Sequence, residues 1–89
     1  MERVKLNVEP EALERLERAY YLAQATKALY LEAKARGVAE ERSRAEYVKA
    51  FVELDQEQCA MTARLEREHP GLRRWDANFR DNCIEAVMA

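Results

Sequence analysis

Apolar and polar positions alternate at the start of the chain, with Val4, Leu6 and Val8 set against Arg3, Lys5 and Asn7. A period of two with β-branched residues on the apolar side predicts a half-buried strand over residues 2–8. A lone strand leaves its backbone N–H and C=O groups unpaired, so this one needs a partner elsewhere in the chain.

The period changes at Glu9-Pro10. Proline suits the first helical position, where its missing N–H has no helical partner anyway. Glu11 and Glu14 follow at the positive end of the helix. Ala12, Leu16, Ala19, Tyr20, Ala23 and Tyr30 then form one face, widened by Leu22, Leu29 and Ala33, while Glu14, Arg18, Glu32 and Arg36 point away. Gly37 is placed to end this helix as a left-handed cap. A second helix is expected from about residue 39 to residue 68, until His69-Pro70 stops it. Its inward face reads Val48, Phe51, Val52, Cys59, Thr62 and Leu65, with Tyr47, Leu54 and Met61 at the margin. The short turn at Gly37 predicts an antiparallel hairpin. A crossing point at residues 37–38 sets Ala23 beside Val52, Leu16 beside Cys59 and Tyr30 beside Ala45.

The tail admits two readings. Leu72, Trp75, Phe79, Cys83 and Val87 recur at three- and four-residue spacing, as in a third helix. Asp81-Asn82 is a turn signal, and after it Cys83, Glu85 and Val87 alternate with Ile84, Ala86 and Met88, as in a strand. The N-terminal strand needs a partner, and this segment is its candidate. The predicted fold is therefore α+β, mainly α: strand–helix–helix–strand, a long antiparallel helical hairpin with short N- and C-terminal strands that can pair. Trp75 and Phe79 cover one end of it, and the alternative is an all-α three-helix fold.

Composition narrows the function classes. A chain of 89 residues suits a single domain over 1–89. Such a domain buries only about 60–65% of its unfolded surface, which favours help from a disulfide, a metal or a partner subunit. Fifteen basic and seventeen acidic residues are spread along the chain, so no basic stripe calls for nucleic acid. No apolar run approaches the roughly 20 residues that cross a bilayer, and no signal peptide is present, so a cytoplasmic protein without a membrane partner is expected.

Candidate chemistry is sparse. Glu66 and His69 have the i,i+3 spacing of carboxylate–histidine metal helices, but no further inward carboxylate accompanies them. Cys59 and Cys83 with His69 do not make a zinc motif. Arg73 and Arg74 beside Trp75 form a small phosphate candidate, diluted by Asp76 and Asp81. Asp55 falls inside the apolar face of the second helix, where Tyr20 is placed to give it a structural polar contact; Lys27 similarly interrupts the first helix. No catalytic residue, metal or cofactor is expected, and the chain is read as a non-enzyme.

The apolar flanks remain. Tyr20, Tyr21, Tyr30 and Tyr47 exceed what a two-helix seam can hold. The interface candidates are Leu22, Leu29, Tyr47, Leu54, Met61 and Trp75, because apolar strips rimmed by charge mark interaction surfaces. The expected function is a protein-interaction or assembly module that self-associates through the hairpin or binds a protein partner. The alternatives are a mobile-element inhibitor acting on a host protein or nucleic-acid machine, and a metal-binding helical protein.

Two resemblances bear on this. The segment Glu57-Gln58-Cys59-Ala60-Met61-Thr62 resembles the metal helix of encapsulated ferritins. That family has histidine at the position of Cys59 and glutamate at the position of Gln56, so the resemblance implies no ferroxidase activity here. The V-K-L-N-V opening, the two long charged helices, and the W-D-A-N-F segment followed by C-I-E-A-V resemble small proteins of bacterial prophages and other mobile elements that carry no defined activity. That resemblance implies a non-catalytic protein that binds a partner or assembles.

Overall fold

A computed structural model describes residues 2–89. The chain runs β1 (Glu2–Leu6), α1 (Pro10–Arg36), α2 (Glu40–Glu68), β2 (Leu72–Asn78) and β3 (Cys83–Met88). It is an α+β fold, mainly α: two long helices packed as a hairpin, and a three-stranded antiparallel sheet in the order β1-β3-β2.

The predicted pairing of the two ends is present. β1 runs antiparallel to β3, with Val4 opposite Ala86 and Leu6 opposite Ile84. β2 on the other side of β3 is a strand that the helical spacing of Leu72, Trp75 and Phe79 concealed. Its register slips between Leu72 and Arg74, so Leu72 lies opposite Met88 and Trp75 opposite Ala86. A β-bulge adds one residue and moves the next inward position from two residues on to three. A spacing of three, set by a bulge, looks like a helix in the sequence.

The hairpin turn is built as expected at Gly37, whose φ of 68° is left-handed and whose N–H donates to the Ala33 carbonyl at 2.8 Å. Ala39, which caps α2, is left-handed as well, with φ 53°. Two left-handed residues in a three-residue connection reverse the chain sharply.

The predicted seam is corrected. α2 is rotated about its axis relative to expectation. It buries Ala50, Met61 and Leu65 and half-buries Tyr47 and Leu54. Val48, Phe51, Val52 and Cys59 face solvent, as does Ala45. The pairs Ala23–Val52, Leu16–Cys59 and Tyr30–Ala45 are therefore not the seam; Tyr30 stacks on Tyr47 instead, with ring centroids 6.1 Å apart. The helix carries two apolar stripes at heptad-like spacing. Met61 and Leu65 must meet both α1 and the sheet, so the stripe that includes them turns inward.

The core sits at the base of the hairpin. Ala12, Leu13, Met61, Leu65 and Ile84 form it, and Leu6, Val8, Leu72, Trp75, Ala77 and Phe79 pack against it. Leu65 and Ile84 are its largest fully buried side chains. Two polar ties hold the layers together. The Trp75 indole N–H donates to Thr62 Oγ1 at 2.8 Å, joining sheet to helix. Arg64 donates to Glu9 at 2.9 Å and to Glu68 at 3.3 Å, joining α2 to the loop before α1. These carboxylates, Glu9 foremost, raise the Arg64 pKa above its already high ordinary value, so the tie keeps its charge.

Beyond this base the two helices run on without the sheet, as an arm. The molecule measures 47 × 22 × 20 Å. In the arm the buried residues are Ala23 and Ala50, so the helices approach closely but enclose little.

Candidate interaction surface

The sheet covers one face of the hairpin base, and where it stops a groove opens. Its volume is about 780 Å³, and Leu16, Tyr20, Leu54, Thr62, Trp75 and Phe79 line it. Two elements position its aromatic wall. Tyr20 and Tyr21 come from α1 and stand against each other at 5.4 Å, ring edge to ring face. Phe79, in the turn after β2, reaches back to both, 5.8 Å from Tyr20 and 6.2 Å from Tyr21. That turn is held by Asn78, whose side-chain oxygen accepts the Asp81 N–H at 3.0 Å, and by Asn82 in the left-handed region at φ 51°.

The groove floor continues along α2. Residues 51, 55, 58 and 62 recur at three and four, so they share one side of the helix. Thr62 lies beneath Trp75 and Gln58 lines the groove, which places Phe51 and Asp55 further out along the same side. Phe51 is 52% exposed, Val48 50% and Val52 46%. Tyr47, edge-on to Phe51 at 6.2 Å, joins this strip to the seam. On α1, Leu31 is exposed, as is Val38 at the tip.

The other face of the arm is more polar. Leu22 lies there in a depression of about 280 Å³ shared with Thr26, Glu46, Lys49, Ala50 and Glu53. Leu29, one heptad on from Leu22, is also exposed. Tyr20 and Leu22 stand about 200° apart around the helix, so they belong to opposite faces.

The sequence-derived candidates therefore divide. Leu22 and Leu29 are exposed; Tyr47, Leu54 and Trp75 are half-buried along the seam and groove. Met61 is buried in the core and offers no surface, because α2 turns its stripe inward. Asp55 is corrected: it is exposed, and among the described residues it makes no hydrogen bond or ion pair, with Tyr20 or any other group. The same rotation of α2 that exposes Val48 and Val52 exposes it. Phe51, Val48, Val52 and Leu31 are the surface residues that the expected seam concealed or passed over. The signal of Val48, Phe51 and Val52 was present as a second stripe of apolar residues on α2, whereas Leu31 is an isolated apolar residue on α1.

The remaining chemistry stays dispersed. No group of three or more histidine, cysteine, aspartate or glutamate side chains capable of holding a metal occurs among the described residues, and this sets aside the metal-binding reading of Glu66 and His69. Cys59 is exposed, Cys83 is buried, and both are free. Arg73 and Arg74 are exposed on β2. Arg74 shares a shallow groove on the outer sheet face with Arg3 and Lys5, but also with Asp76 and Glu85. No helix among the described residues is long and apolar enough to cross a membrane.

The exposed apolar and aromatic residues mark the hairpin arm as an interaction surface suited to a protein partner or to another copy of the chain. Comparison of the chain with protein-family models, with curated proteins and with solved structures finds no match.

Proposed function

We propose that this chain is a non-catalytic assembly module that self-associates through its helical hairpin. The observation that carries this reading is the uneven distribution of the core. Large side chains are buried at the base, while the arm buries little more than alanine and leaves Leu22, Leu29, Leu31, Val48, Phe51 and Val52 exposed. A two-helix arm with apolar flanks is half of a helical bundle, and its missing layer is most simply another hairpin.

Surface area supports the same reading. A folded monomer of this mass exposes about 5,400 Å². This chain exposes 6606 Å². The excess is on the order of 1,000 Å², more than the ~800 Å² that each partner buries in a standard interface.

The test is the mass of the purified chain in solution. Light scattering at protein concentrations on the order of tens of micromolar is expected to give a multiple of the 10.4 kDa chain mass. A strict monomer across that range would refute self-association.

A further inference from the structure

Resting on that reading, we infer that the occupant of the arm is a second copy packed antiparallel along α2, about a two-fold axis between Val48 and Phe51, with Arg44 of each copy paired to Asp55 of the other. The spacing carries this. Arg44, Val48, Phe51 and Asp55 recur at intervals of four, three and four, so they form one line along the helix. All four are exposed. The line continues through Gln58 to Thr62, where Trp75 covers it, and so runs along the face that carries the sheet.

Read from either end, the line has the same spacing with its charges exchanged: basic, apolar, apolar, acidic. An antiparallel copy therefore sets Val48 against Phe51 twice and Arg44 against Asp55 twice. A parallel copy sets like charge against like. Among the described residues neither Arg44 nor Asp55 has an ion-pair partner within its own chain, so both are free to pair across a contact. Charged flanks around an apolar seam are how paired helices set orientation. Asp55, which has no role within the single chain, gains one here.

The length of free helix agrees. On this face α2 is uncovered from its start at Glu40 to Thr62, a span of roughly 33 Å at 1.5 Å per residue. The middle of that span lies beside Phe51, within one turn of the axis. Each hairpin tip, with Val38 and Leu31, then approaches the aromatic groove at Tyr20 and Phe79 of the other copy. The sheets stand clear at the two ends. The contact is isologous and closed, and both copies bury the same surface.

Sedimentation equilibrium on the full chain tests this with Arg44→Asp, Asp55→Arg and the double variant. Each single reversal places like charges together twice and is expected to weaken dimerisation about tenfold at low salt, less at high salt. The double variant restores both pairs with their signs exchanged and is expected to dimerise within about threefold of the original chain. Circular dichroism is expected to stay unchanged in all three, because both positions are exposed. A dimer whose single variants associate as tightly as the original would overturn this interface while leaving self-association standing. So would a double variant no tighter than the singles. A monomeric original chain would remove the self-association reading and this interface together, and would point to a foreign helical partner.

Discussion

Leu65 and Ile84 are the two side chains on which the small core closes, and the consequence is steep. Truncating a buried leucine costs about 2–5 kcal/mol, against a total of roughly 4–13 kcal/mol for a domain of this length. Leu65→Ala is therefore expected to leave a large unfolded fraction at 37 °C, visible as lost helical ellipticity. The turn offers a finer pair of tests. A Cβ at Gly37 would meet nothing within 4 Å, so Gly37→Ala reports backbone strain alone and should destabilise by about 1–2 kcal/mol. Ala39 already carries such strain at φ 53°. Ala39→Gly relieves it at the cost of chain entropy and should stabilise by about 0.5–1 kcal/mol. Urea titrations with unchanged slope would measure both. At the sheet–helix tie, Thr62→Val leaves the Trp75 N–H without its acceptor and should cost about 1 kcal/mol by the same measurement.

At the scale of elements, the hairpin is two structures in sequence along one pair of helices. Its base is clamped by the sheet, and its arm is held by the buried Ala23 and Ala50 and by the stacked Tyr30 and Tyr47. Segments with few buried apolar contacts open more readily than the core. Amide hydrogens of residues 22–36 and 40–54 are therefore expected to exchange faster than those of 61–65 and 83–88 when the chain is dilute. The difference should narrow at concentrations where copies associate. Equal protection of arm and base at every concentration would contradict an unpartnered arm. β2 shows the other lesson of this scale. Its bulge near Arg73 keeps Leu72, Trp75 and Ala77 on the core side, and that same bulge gives the segment the spacing that left a helix as the alternative reading.

For the whole molecule, elongation is the feature that sets behaviour. The radius of gyration is 15.8 Å, whereas a compact domain of this length has about 12 Å. A chain that spreads its surface in this way gains stability from whatever covers it. If the cover is a second copy, folding and association are linked, and each tenfold rise in protein concentration adds about 1.4 kcal/mol to the stability of the dimeric state. Thermal unfolding followed at two concentrations a hundredfold apart should show a rising midpoint. A midpoint independent of concentration would show that the arm is stable uncovered.

Much of this protein was legible in its residues because the signals were local. Pro10 and Gly37 bound α1, His69-Pro70 stops α2, and the alternation of Val4 and Leu6 marks a strand in want of a partner. Asp81-Asn82 announces the turn before β3, and pairing of the chain ends follows from backbone hydrogen bonding alone. The tertiary structure decided which of two apolar stripes on α2 turns inward. Periodicity reports that a stripe exists, but both stripes have the same spacing, and only the joint demand of α1 and the sheet on Met61 and Leu65 selects one. That choice moved Val48, Phe51 and Asp55 from the expected seam to the surface. It thereby left Asp55, expected inside the seam, on the surface, where the proposed contact between two copies would use it.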